Sequence, residues 1–367
     1  RSTNARRKQT MPLDLSALEK TPRLLIEADL KPIQGHTIYP TNFPNLGAAT
    51  YIEPKSGHQN LLVESPQSMA NLMEASCWDG DTWREPLANI PYVEVVDEND
   101  QPFTWSTLEA HRLNSVYIEK SDWFEELKRE VGFDEERPYD PLRQLAPVLL
   151  KYDPNSLIHG VMLESIGGVV RLPRALGAFI ESEDVQVAPG GGAKFDRNQP
   201  SKTATQTAKE GYGNVIYSRD RYSPKRTVAY FNLDLRQIRA YAIQELAKDF
   251  LIRFALYKIG AVLMNGCQRR RECEFEVEKI EVKGCNISDD FSKRLVEALK
   301  DPDQLAEETT EAINKLADTH SDALAPKNDK RAGRRVTIAK YAISRARSRR
   351  REQLEAESGA GNNGSDD

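Results

Sequence analysis

Between Gly190 and Phe231 the sequence reads GGGAKFDRNQPSKTATQTAKEGYGNVIYSRDRYSPKRTVAYF, and no other stretch collects the same three kinds of residue. It holds five glycines, eight Lys or Arg against three Asp or Glu, and aromatic rings at Phe195, Tyr212, Tyr217, Tyr222, Tyr230 and Phe231. Glycine lets a backbone approach a phosphate, Lys and Arg neutralise it, and aromatic faces accept unstacked bases. Such chemistry grips a single strand of nucleic acid, with Lys194, Arg197, Arg219, Arg221, Lys225 and Arg226 as the phosphate contacts. A solvated basic loop feeding a β-hairpin has the same composition.

Three further places carry candidate contacts. In SPQSMANLMEASCW, Ser65 is placed as an N-cap and Pro66 as the first helical residue. The free N–H groups there, with Gln67, Ser68 and Asn71, can receive a phosphate, although most helix starts bind water. Arg171 and Arg174 flank a strand junction, and Arg269, Arg270 and Arg271 form a second basic focus. Either set serves as phosphate contacts or as surface ion pairs. Asp196, a carboxylate in a basic loop, can hold a metal or take a proton in RNA cleavage, or simply pair with Arg197.

Other chemistries fail on spacing. GGGAKF lacks the Gly-Lys-Ser/Thr ending of a phosphate-binding loop, and GYGNVI lacks the third glycine of a dinucleotide fingerprint. There is no HExxH or GxSxG, so no motif nominates a hydrolase, a metal or a cofactor. Cys77, Cys267, Cys273 and Cys285 form no CxxC pair, as expected of reduced thiols in a cytoplasmic protein. No run of about 18 apolar residues is present to span a membrane. The segment RSTNARRKQT lacks the apolar core of a secretory signal.

The net charge of -5 conceals segregation. Residues 1–10 carry four basic and no acidic side chains, 327–351 carry eleven basic and one acidic, and 352–367 carry five acidic and none basic. The remainder, 11–326, is therefore at -14. A nucleic acid is admitted only along a restricted basic strip of such a body.

These residues need a scaffold. RLLIEADLKPI places Leu24, Ile26, Ala28 and Leu30 on one face and predicts a central strand. An irregular excursion follows, then a strand over 61–64 and the helix begun at Ser65. PYVEVVD predicts a strand, TWSTLEAHRLNSVYI a short helix running into an extended piece, and SDWFEELKREVG a helix ending at Gly132. A helix opens at Pro141, SLIHGVMLE predicts a strand, and VVRLPRALGAFIESEDVQV a strand followed by a helix from Pro173. Asn232 or Asp234 caps one long helix through LRQIRAYAIQELAKDFLIRFALYKIGAVL, stopped by Gly266, before a strand beginning near Cys273. Residues 286–325 predict an acidic two-helix appendage, and 326–367 a basic then acidic, partly disordered tail. The fold class is α+β, of the ferredoxin-like or RRM kind elaborated by insertions.

Several phrases in order, PRLLIEADLKPIQG, NFPNLGAATY, LLVESPQSMANLMEASCW, LEAHRLNSVYI, YDPNSLIHGVML, RLPRALGAFIE, GYGNV and AYFNLDLRQIR, resemble the type I-G (formerly I-U) CRISPR-associated RAMP backbone subunit of Cascade, in the Cas-seven group. The resemblance runs from about Met11 to about Lys283. It implies a modified RRM palm over 11–285, with finger and thumb insertions and a thumb near 185–230. Copies of such subunits stack head to tail as a helical filament along a CRISPR RNA, beside a large subunit and a repeat-end processing or capping subunit. The filament exposes the guide to complementary target DNA, and a separately recruited helicase-nuclease cuts it. These subunits are scaffolds rather than enzymes. SPQSMAN matches the family's Ser/Gln-containing helix start against RNA, with Leu72 and Met73 where other subtypes often carry a basic residue. The Gln268 to Arg271 turn resembles the family's basic loop before the last palm strand. A RAMP endonuclease using Asp196 and a general single-strand RNA-binding protein are the alternatives.

Overall fold

The computed structural model describes residues 11–40, 42–43, 47–194, 215–265 and 273–342. In chain order the elements used below are β1 (Arg23–Pro32), β2 (Thr50–Ile52), β3 (Gln59–Glu64), α1 (Pro66–Ser76), β4 (Tyr92–Val96), β5 (Pro102–Trp105), α2 (Phe124–Val131) and α3 (Pro141–Tyr152). They continue with β6 (Leu176–Ala188), β7 (Gly191–Lys194), β8 (Val215–Ser218), β9 (Arg221–Asp234), α4 (Leu235–Ala240), α5 (Glu245–Met264), β10 (Phe275–Lys283), α6 (Asp289–Leu299), α7 (Pro302–Thr319) and β11 (Val336–Lys340).

The central sheet has the order β10-β1-β9-β6-β3-β2, with every neighbouring pair antiparallel. Within it β1-α1-β6-β9-α5-β10 trace the ferredoxin-like βαββαβ path, with β3 and β2 extending one side. The period-two pattern of β1 is realised, since Leu24, Ile26, Ala28 and Leu30 are all buried while Glu27 and Asp29 sit on the opposite face. A second sheet has the order β11-β4-β5, and β4 is buried at all five positions.

Several expected elements differ. The segment after Pro173 is the thirteen-residue strand β6, not a helix. Alternating Leu176, Ala178, Ile180 and Ser182 face the core, and the Ser182 and Thr227 hydroxyls meet at 2.7 Å. The single long helix is two, α4 and α5. The break falls at Tyr241, whose buried hydroxyl donates to Leu157 O (2.9 Å), while Ala242 N donates to Leu142 O. SLIHGVMLE begins as the short helix Asn155–His159. The helix-then-extended order expected over 104–118 is reversed, with strand β5 entering first and a one-turn helix, Val116–Glu119, at the end.

The C-terminal assignments change as well. Helices α6 and α7 are not an appendage, because Leu305, Ile313 and Leu316 are fully buried and Arg253 of α5 meets the buried Glu308 at 2.5 Å. Fourteen residues of α5 are buried in consequence, not one face. Gly260 lets the end of α6 approach, since a Cβ there would lie 2.9 Å from Leu299 O. Residues 336–340, expected in a loose tail, form β11, paired in parallel with β4. Of the expected thumb, 185–230, the part outside the central sheet among the described residues is the β7–β8 hairpin, because β9 is already paired with β6 from Arg221 onward.

Candidate nucleic-acid interface

The candidate residues divide between the two ends of the β6–β9 pair. In register, Leu176 faces Leu233 and Ala188 faces Arg221. At a rise of ~3.3 Å per residue the two ends are about 40 Å apart.

At the Ala188 end, β7 and β8 pair from Gly191↔Ser218 to Lys194↔Val215, and Arg219 N donates to Gly190 O (2.8 Å). Arg219 and Arg221 are exposed at the root of this hairpin. The Arg219 guanidinium lies 3.9 Å from the centre of the Tyr39 ring. Tyr39 stands on a loop strapped to β9 by reciprocal bonds, Ile38 N to Tyr222 O (2.8 Å) and Tyr222 N to Ile38 O (3.0 Å). Tyr39 lay outside every sequence pattern, because its partner is 180 residues away. Burial raises the pKa of the nearby Tyr222 phenol.

In the middle of the sheet the chemistry changes sign. Arg226 Nε donates to Asp29 (2.8 Å) and its other arm lies 3.4 Å from Glu183, so its charge is held by two carboxylates. Lys225 is exposed, with Asp184 3.9 Å away. Glu27 pairs with Lys283, and Glu181 accepts from the Tyr51 hydroxyl. An open cleft of about 1080 Å³ is lined here by Asp29, Glu181, Glu183, Asp184, Lys225 and Arg226. Beside them the Phe179 and Tyr230 rings stack at 4.9 Å. Burial, then the Glu183 carboxylate, pushes the Tyr230 phenol upward. Carboxylates outnumber cations in this cleft, and a phosphate chain is repelled from it.

At the Leu176 end, Ser65 caps α1 by accepting from Ser68 N at 3.3 Å. The hydroxyl oxygen accepts this helix N–H, and its O–H is left as a donor. Gln67 and Asn71 are exposed, while Met69, Ala70 and Met73 fix α1 in the core. Arg171 is exposed on a two-residue strand paired with Val161–Met162, and Arg174 is half-buried in the corner before β6.

Beneath α1 lies a buried polar network. Glu74 receives both Arg112 Nε (2.6 Å) and Nη2 (2.9 Å), and Asn155 Nδ2 at 2.5 Å. Lys258 Nζ donates to Asn155 Oδ1 (2.8 Å) over the ring of Phe254. Burial lowers the Lys258 pKa and pushes the Asp153 carboxyl up to about 6. His159, with both ring nitrogens unpartnered among the described residues, is pushed well below its usual value by burial and then by Lys258 and Arg112. The one visible signal was a lysine inside the apolar run FALYKIGAVL.

The network reaches the corner through Arg112, whose Nη1 donates to Gly160 O at 3.3 Å. Gly160 has φ +79, and a Cβ there would lie 2.9 Å from Leu172 O and 3.0 Å from Arg174 N. Only glycine closes this turn without displacing the Leu172–Arg174 segment.

Arg197, Asp196, Arg269, Arg270 and Arg271 lie outside the described residues, as does the Lys194 side chain. Among the described residues no group of three or more His, Cys, Asp or Glu is arranged to hold a metal ion, and no helix is long and apolar enough to cross a membrane.

A family model described as CRISPR-associated protein GSU0053 matches residues 24–187, from β1 to the end of β6. No curated protein matches the chain. Solved structures with a similar trace include a chain of a "CRISPR RNA-guided surveillance complex, pre-nicking" at 13% identity, covering 82% of this chain and 89% of that one with a TM-score of 0.40. A chain of a "CRISPR RNA-guided surveillance complex" is 12% identical over 82% and 84%, TM-score 0.35. Csc2 of Thermofilum pendens is 11% identical over 84% and 94%, TM-score 0.30. By its sequence, the chain is similar to a CRISPR-associated family across the segment that builds β1, β3, α1 and β6.

Proposed function

We propose that this chain is a multi-copy, non-enzymatic backbone subunit of a type I-G Cascade, binding a CRISPR RNA and holding it for pairing with complementary target DNA. The observation that carries the reading is the match of residues 24–187 to a CRISPR-associated family. The basic and aromatic root of the β7–β8 hairpin supports it, because Arg219 and Arg221 supply charge and Tyr39 a ring face, contacts that can grip a strand whatever its sequence. A scaffold for every spacer needs that kind of sequence-blind contact. In the reading, the hairpin is the thumb, copies stack head to tail in the cytoplasm, and a large subunit and a capping subunit close the two ends.

The test is the RNA that accompanies the purified protein when it is expressed with its CRISPR array. RNA of uniform length with a repeat-derived end is expected. A heterogeneous mixture of cellular RNA refutes the guide-bound filament.

A further inference from the structure

The geometry points to a fixed seat for the phosphates of a nucleic-acid strand at the Leu176 end of the sheet, built from Arg174 and Arg171 with Arg236 of α4. This deepens the guide-binding reading and rests on it for the identity of the strand, although the seat itself is argued from charge and rigidity.

The rigidity is on the backbone. The corner Pro173–Ala175 is tied on both sides, with Gln237 Nε2 donating to Pro173 O (2.7 Å), Ala175 N to Ile158 O (2.9 Å), and Asp234 N to Ala175 O (2.7 Å). Gly160 packs against the same corner at contact distance. These bonds bring α4 beside the corner, and Arg236 is exposed on it, next to the Gln237 that makes the first bond.

The charge has no contact partner. Arg171, Arg174 and Arg236 each lack a hydrogen-bonded or ion-paired side-chain partner among the described residues. That is unlike Arg226, which two carboxylates hold. Asp234, the acidic residue on the same corner, is already engaged by Arg23 at 2.6 Å and by Gln237 N. Glu74 is enclosed by Arg112 and Asn155. Arg174 is further disfavoured as a bare cation, since burial and then the neighbouring Arg112 lower its pKa, against a smaller opposing pull from Glu74. An arginine held half-buried beside a like charge, on a backbone that cannot swing it away, is relieved when an anion arrives. In a body at -14, three arginines without a contact partner, one on the strand before the corner, one in it and one on the helix tied to it, mark where a phosphodiester chain is tolerated.

The experiment uses the full chain freed of bound RNA at high salt, with fluorescein-labelled twenty-nucleotide oligo(U) and oligo(dT) as probes and anisotropy read between 50 and 200 mM NaCl. Removing a single-strand phosphate contact lowers the slope of log K against log salt by about 0.7, so Arg171→Ala/Arg174→Ala/Arg236→Ala is expected to lower it by about 2. Arg174→Lys keeps the charge and is expected to keep the slope while weakening binding, because the two-pronged contact is lost. Loss with oligo(U) alone assigns the seat to RNA, and equal loss with both probes assigns it to phosphate irrespective of sugar. An unchanged slope in the triple variant, with a native circular-dichroism spectrum, overturns the seat and leaves the guide reading standing. Heterogeneous co-purified RNA together with a lowered slope overturns the guide reading and leaves the seat.

Discussion

Glu74 and Arg112 give the most stringent test of how the interface is held. Both are at most 6% exposed, and they share a two-pronged bond of 2.6 and 2.9 Å. Taking one member of a buried ion pair away leaves the other desolvated and costs about 3–5 kcal/mol, whereas replacing both with apolar groups of similar volume is close to neutral. Glu74→Leu and Arg112→Met are therefore each expected to destabilise by about 3–5 kcal/mol. The double variant is expected to fall short of their sum by about 3 kcal/mol or more. Arg112 sits at φ +54, a strain that Met inherits unchanged, so the backbone contribution cancels from the cycle. Urea unfolding followed by tryptophan fluorescence and by far-ultraviolet dichroism reads all four corners. Additive single changes, or singles below about 1 kcal/mol, would show that the network does not bind α1 to the Gly160 corner.

Five further outcomes are expected. His159 is buried with its pKa lowered, so the unfolded chain takes up a proton that the folded one refuses, and stability falls as pH drops through and below about 6.5. His159→Leu should flatten that acid limb in melting curves. Asp153, raised to about 6, works oppositely: its carboxyl costs stability as pH rises from about 4 to 6, and Asp153→Asn should steepen the net acid loss. Gly160→Ala forces a Cβ against Leu172 O at positive φ and should destabilise by about 1–3 kcal/mol while weakening RNA binding through Arg174; a melting temperature equal to wild type refutes the packing argument. Deleting residues 286–319 should abolish soluble folded protein, because α5 loses its cover; a cooperative melt of the deletion restores the appendage assignment. Arg219→Ala/Arg221→Ala should weaken RNA binding and lower its salt slope by about 1.4, with unchanged values removing the hairpin root from the path.

What the sequence disclosed was whatever local spacing governs. The alternation of β1, the Ser65-Pro66 start of α1, the Asp140-Pro141 start of α3 and the extents of α6 and α7 all follow from neighbours within a turn or two. Misreadings arose where distant partners decided the outcome. Pro173 looks like a helix start, yet the alternation after it is satisfied by β9 on one side and β3 on the other. Tyr241 breaks a helical run because its hydroxyl finds Leu157 O. For the interface, arginines were visible but their neighbours were not. Arg226 and Arg174 look alike in sequence, and only the fold shows that two carboxylates hold the first while the second has no ion-paired side chain among the described residues. Arg236 was read only as a helical residue, since nothing local distinguishes it.

The parallel pairing of β11 with β4 joins residues about 240 positions apart. During synthesis at roughly 5–20 residues per second, β4 waits on the order of 10–50 s for its second neighbour. Throughout that interval one row of its N–H and C=O groups is available to other chains, in a strand with Val93, Val95 and Val96 among its five residues. Expression at high rate, where many nascent chains sit close together, should therefore favour aggregation through this edge, and a chaperone that engages extended apolar segments should raise the yield of folded protein.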